Sequence, residues 1–218
     1  ELKFHYGIGK YPMVALSNFG KQDPIEEFVK ELRKTNDKDN WSLSGKINPK
    51  TRIFAPVVIR GEEEKGVRLW GFGITIYKAL LALAEDEDIG DFTDVINGWD
   101  MVVEQSAGNP YPETTVRIKP KQTPLSDNNE MVDIWLKTQP NPTEVHNQYD
   151  YNFIKKQLQN YLNPGSGDEA EATAKAADSN TDTSLPESLG QQKSDFATEA
   201  AVDGNKDTVS KFDDLFNE

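Results

Sequence analysis

Ten cationic side chains lie between Lys46 and Lys121: Lys46, Lys50, Arg52, Arg60, Lys65, Arg68, Lys78, Arg117, Lys119 and Lys121. Trp41, Phe54, Trp70, Phe72 and Tyr111 are interleaved with them. Cations that follow a phosphate backbone, alternating with flat rings on which bases stack, are what an unpaired polynucleotide needs. Such stacking contributes roughly 1–3 kcal/mol per base and tolerates any sequence. Strand alternation would bring several of these residues to one face. Taken singly, Phe54 and Phe72 read as core. Trp70, close to Arg68, reads as a groove residue, and so does Tyr111, held on a loop between Pro110 and Pro112. The candidate contact set is Trp41, Lys46, Lys50, Arg52, Phe54, Arg60, Arg68, Trp70, Tyr111, Arg117 and Lys119.

Catalytic chemistry finds little support. His5 and His146 are the only histidines, and no Ser/His/Asp arrangement can be built on them. Gly7-Ile8-Gly9-Lys10 lacks the spacing of a phosphate-binding loop and reads as a turn. The run Asp86, Asp88, Gly90, Asp91, Asp94 has the outline of a calcium loop, but its glycine is out of register and its twelfth position is Asn97 rather than a bidentate Glu. With no cysteine there is no disulfide, thiolate zinc site or cysteine nucleophile. The expectation is a non-enzyme without cofactor or metal.

The elements that must position these residues fall in the first 164 positions. Residues 1–19 read as two short strands, followed by a helix that Asp23 caps, Pro24 opens and Glu26 completes as a capping box. Ile25, Phe28, Val29 and Leu32 then form one buried stripe. The polar run Lys34 to Asn40 reads as a surface loop. Thr51–Arg60 and Val67–Phe72 read as a hairpin, and a helix follows Gly73 with Thr75 as cap and Ile76, Ala79, Leu80 and Leu83 on one face. Strands at Trp99–Glu104 and Thr114–Lys119 and helices at Met131–Leu136 and Val145–Leu162 complete this body. Short strands interrupted by helices suggest an OB-fold-like, five-stranded Greek-key barrel with helical additions over 1–164, the stretch 20–45 being one such insertion. No apolar run reaches the roughly 20 residues a membrane helix needs, so no membrane partner is expected.

Residues 165–218 differ in kind. They hold 13 acidic and 4 basic side chains, a net of −9 within the total of −13, and lack Trp and Tyr. Gly, Ser, Ala, Asp, Glu and Thr dominate, a composition too polar to fold alone, so an acidic disordered tail is expected. Its end, 209–216, regains apolar residues. Phe212, Asp213, Asp214, Leu215 and Phe216 read either as a docking motif for a partner or as a frayed terminus.

Several stretches resemble the single-stranded DNA-binding protein of T-even-like bacteriophages. They are Thr51-Arg-Ile-Phe-Ala-Pro-Val-Val-Ile-Arg60, Val67-Arg-Leu-Trp-Gly-Phe-Gly73 with the helix after it, and Trp99-Asp-Met-Val-Val103. The resemblance covers most of 1–164 and rests on the order of elements. It implies an OB-fold cleft that holds single-stranded DNA, with Trp41, Phe54, Trp70 and Tyr111 at cleft positions and Lys50 and Arg52 in a basic strand. It further implies a role in replication, recombination and repair in the cytoplasm of an infected bacterial host, with replication and recombination proteins as partners of the tail. That family carries a zinc subdomain of one His and three Cys. Here His5 falls at the histidine position, whereas Ser17, Asp23 and Glu26 stand at the cysteine positions, so no metal is expected. The family's basic amino-terminal arm has no counterpart before Glu1, and self-association along DNA is expected to need such an arm.

Together these readings predict a protein that coats single-stranded DNA and is autoinhibited by its own acidic tail. An adaptor, whose tail docks partners and whose barrel is a scaffold, is the rival from another class. A barrel enzyme acting on nucleic acid is the weaker third.

Overall fold

The structure, a computed structural model, describes residues 1–109, 111–164 and 206–216. Among them the strands and helices run β1 (Leu2–His5), β2 (Met13–Val14), α1 (Pro24–Lys34), α2 (Lys38–Ile47), β3 (Lys50–Val57), β4 (Arg68–Phe72), α3 (Ile74–Ala84), β5 (Trp99–Ser106), β6 (Glu113–Gln122), α4 (Asn129–Lys137), α5 (Pro142–Val145), α6 (Tyr151–Leu162) and α7 (Lys206–Phe216). They divide between two units assembled from separate stretches of chain. The first comprises residues 1–2 and 51–146; the second comprises 3–50 and everything after 146. The change of composition at Pro164 is therefore not the division in space.

The second unit is mainly helical. Asp23 starts α1 as expected, its carboxylate accepting from the Ile25 and Glu26 N–H groups with Pro24 in the first turn. The stripe Ile25, Phe28, Val29 and Leu32 is buried, each side chain contributing roughly 1.5–3 kcal/mol. It packs with Leu43 and Ile47 of α2, Ile154, Leu158 and Leu162 of α6, and Phe212 of α7. Beside it β1 and β2 pair antiparallel, Phe4 opposite Val14 and His5 opposite Met13. A 3-10 turn, Leu16–Phe19, closes on Gly20, whose φ of 68° suits a residue without a side chain.

The first unit carries two antiparallel ladders. In β3–β4, Ile53 faces Phe72, Ala55 faces Trp70 and Val57 faces Arg68. Ile53 and Phe72 are buried with Ile76 of α3, and Trp70, Tyr77, Leu80 and Val116 pack against that core. In β5–β6, Val102 faces Arg117 and Val103 faces Val116, with an irregularity between Trp99 and Met101.

Several expectations need correction. The strands pair in short antiparallel ladders, and no closed barrel is found among the described residues. The polar run from Lys34 to Asn40 is a loop only briefly: α2 starts at Lys38, with the Asp37 carboxylate accepting from the Asp39 N–H. Glu26 does not return to cap α1, because its carboxylate accepts from the Ser17 hydroxyl at 2.5 Å. Gly73, not Thr75, caps α3, with no side-chain bond. The helix expected over Val145–Leu162 is broken into α5 and α6, the latter capped by Asp150. Residues 209–216 of the acidic tail belong to a helix, Lys206–Phe216, packed on its own second unit. The remainder of the tail, 165–205, lies outside the described residues, as does Pro110.

Candidate nucleic-acid interface

In the second unit the candidate residues gather on α2. Its buried positions Asn40, Leu43, Ser44 and Ile47 turn the opposite side to water. Lys38, Trp41 and Gly45 lie on that side, spaced i, i+3 and i+7, and all are exposed. Trp41 leaves 64% of its surface in solvent. A side chain at Gly45 would meet nothing within 4 Å, so the indole face is not crowded from that position. Lys50 folds back onto this end of the helix, its Nζ donating to the Gly45 carbonyl at 3.3 Å. Lys46 is exposed on the adjoining side. An exposed ring and three exposed lysines thus share one helix and the residues just after it. Outside its acidic tail, this unit (3–50 and 147–164) holds 11 basic and 7 acidic side chains, a net of +4.

In the first unit the candidates divide between the two faces of β3–β4. Pairing places Trp70 and Arg68 on the side of Ile53 and Phe72. Trp70 packs on Phe72 with ring centroids 4.5 Å apart and is half-buried against the core of this unit. Alternation puts Arg52 and Phe54 on the other side. The Phe54 ring lies over Gly71, where a Cβ would stand 2.9 Å from its edge, and against His146 at 5.3 Å. Burial holds the His146 imidazole below its usual pKa, favouring the neutral ring. Tyr111, 61% exposed, sits in the loop between β5 and β6.

Most cations of this unit have carboxylate partners. The Arg60 guanidinium donates to Asp100 at 2.9 Å and to the carbonyls of Leu125 and Pro124 at 2.7 Å each. This three-way grip makes it a structural clamp. Burial would raise the Asp100 carboxyl, but its bonds and charge contacts with Arg60 and Lys119 hold it below the usual value. Arg68 bonds Glu62, whose carboxyl is lowered by that contact and by Lys65. Arg117 pairs with Glu104 at 2.9 Å and Lys119 with Asp100 at 3.4 Å. The Arg117–Glu104 pair is exposed on both sides, and such pairs are worth only about 0.2–1 kcal/mol, so its guanidinium can exchange that carboxylate for another anion cheaply, whereas the Asp100 partner of Lys119 is largely covered. The unit as a whole carries 17 acidic and 9 basic side chains, a net of −8.

Sequence reasoning missed Lys38. The signal was its three-residue spacing from Trp41, which has meaning only once α2 is known to be a helix.

The four positions considered for a metal do converge, as two hydrogen-bonded pairs. His5 Nε2 meets Asp23 Oδ2 at 2.9 Å in the buried interior, and Ser17 bonds Glu26. Asp23 also accepts from the Leu16, Ile25 and Glu26 N–H groups. Burial raises the Asp23 carboxyl, but the His5 contact and these N–H groups outweigh it and hold it below its usual value. Its lone pairs are already directed at donors, so the cluster does not fit a metal ion. Among the described residues no group of three or more His, Cys, Asp or Glu could hold one. No helix among them is long and apolar enough to cross a membrane.

Comparison with protein-family models, with curated proteins and with solved structures gives no match for this chain.

Proposed function

We propose that this chain is a non-catalytic protein that binds single-stranded DNA without sequence preference, in the service of phage replication, recombination and repair. The observation that carries the reading is the exposed Trp41 on α2, a helix that also carries exposed Lys38 and whose Gly45 carbonyl holds Lys50, on the one unit whose body is net positive. A base stacks on the indole while the ammonium groups neutralise the flanking phosphates and release counterions. Arg117, Lys119 and Tyr111 supply further contacts in the first unit, whose two ladders we read as an open, OB-like arrangement. The acidic tail competes with DNA for the cations and, when displaced, offers itself to replication and recombination proteins.

The test is a fluorescence titration of the full chain with poly-dT at low and high salt. Quenching that weakens with salt and drops sharply in Trp41→Ala is expected. Absence of quenching at low salt would overturn the reading. The adaptor then stands, and the net charge of −8 on the first unit, with Arg60 and Arg68 held by its own acceptors, is the observation in its favour.

A further inference from the structure

The groove that holds α7 is closely fitted to a helix that comes from far along the chain. Phe212 is 1% exposed, its ring edge-on to Phe28 with centroids 5.8 Å apart. The Thr208 hydroxyl donates to Asn40 Oδ1 at 3.1 Å in the buried interior. Lys155 Nζ donates to the Phe216 carbonyl at 2.9 Å and lies over its ring at 5.0 Å. These are the marks of a fitted site: an aromatic anchor, a buried polar bond and a cation on the last carbonyls of the helix.

The connection is out of proportion to that fit. Helix α7 touches α6, yet 43 residues (163–205) separate them in sequence, where packed helices are usually joined by roughly 2–8. Those residues can span at most about 150 Å. A tether of that length gives α7 an effective concentration at its own groove of only about millimolar or less, falling as the tether lengthens. A neighbouring copy presents the identical helix within the same reach. Charge favours the encounter, since the second unit without its tail is net +4 and the tail is net −9.

We propose that the α7 groove is an interaction surface for a second copy of this chain. The α7 of one molecule docks into the groove of its neighbour in place of that neighbour's own helix. No new contact is needed, because the exchanged helix makes the same Phe212–Phe28 and Thr208–Asn40 contacts, which makes exchange a low-cost route to association. Reciprocal exchange closes a pair, and one-way exchange builds an open chain of copies.

The chain has no cysteine, so single labels can be placed at will. A donor dye on Lys30→Cys of one batch and an acceptor on Asp214→Cys of another, mixed without nucleic acid, report exchange as energy transfer between molecules. Transfer should rise with concentration and vanish when Phe212→Asp is added to the acceptor chain. It should appear at about tenfold lower concentration when Phe212→Asp is added to the donor chain, whose groove then lacks its own occupant. Phe212→Leu in the acceptor chain should give intermediate transfer, which guards against a general failure of the Asp variant. No transfer to the emptied groove at any concentration, or transfer indifferent to Phe212 of the acceptor chain, would overturn the proposal. With no DNA present, neither result bears on the nucleic-acid reading.

Discussion

Asp23 holds three tasks at once: it caps α1, fixes the 3-10 turn through the Leu16 N–H and engages buried His5. Asp23→Asn would place an amide donor either against both the Leu16 N–H and His5 or against the Ile25 and Glu26 N–H groups, leaving at least one buried donor unsatisfied. The expected loss is about 1–3 kcal/mol in urea unfolding. The same residue sets an acid limit. Its folded carboxyl titrates below 3.8, so the unfolded chain takes up the proton first as the pH falls. The stability it contributes is present above 3.8 and disappears as the pH drops through 3.8 toward the lower folded value. An acid-unfolding profile that Asp23→Asn leaves unchanged would contradict this. His146 acts over a higher window. Its folded pKa lies below 6.5, so the unfolded chain binds the extra proton first, and stability declines as the pH falls through 6.5 until the folded ring also charges. Arg60 illustrates a cation engaged by its own unit. Its fork is closed by Asp100, Pro124 and Leu125, so Arg60→Ala should lower the stability of the first unit while barely changing the salt slope of poly-dT binding.

At the scale of elements, Arg117→Ala with Lys119→Ala should reduce the salt slope of that binding by about 2, one for each phosphate no longer neutralised. An unchanged slope would remove β6 from the interface. What could be read from the chain follows a physical rule. Helix α1 was legible because cap, first-turn proline and apolar stripe agree. Helix α2 was not, because two of its buried positions, Asn40 and Ser44, are polar. They are satisfied by Thr35 and Thr208 and by the Trp41 carbonyl, partners distant in sequence or invisible in a hydrophobic pattern. Reading Lys34–Asn40, and with it the first turn of α2, as a loop hid the Lys38–Trp41 spacing. The sides taken by Trp70 and Phe54 were hidden for a related cause: alternation says which residues share a face, but only packing says which face is inward. Gly71 decides it locally, since its missing side chain makes room for the Phe54 ring on the face away from the core. Gly71→Ala should push that ring aside, and the ring-current shifts on His146 would report the displacement.

Across the whole molecule, charge and fold divide the chain along different lines. The first unit is net −8, the body of the second is net +4, and the tail of −9 is fastened to that positive unit by its terminal helix. Removing the tail is therefore not a purely electrostatic operation. Truncating a fully buried phenylalanine costs about 3–5 kcal/mol where the backbone must stay in place. Here the backbone can leave, so the loss on Phe212→Ala is capped at the free energy of docking α7. Deleting residues 206–218 sets that cap, and urea unfolding of the two variants should give nearly equal losses. A smaller loss for Phe212→Ala than for the deletion would mean that α7 stays bound with a cavity beneath it. In the proposed function, undocking also frees the tail and lowers the local concentration of its carboxylates for Lys38 and Lys50 to meet. In the proposed function, Phe212→Asp should then tighten poly-dT binding at low salt and leave it unaltered at high salt, where screening already separates tail from cations. Equal affinities of the two proteins at low salt would show that the polyanion does not compete for these lysines, and the autoinhibitory part of the reading would have to be given up.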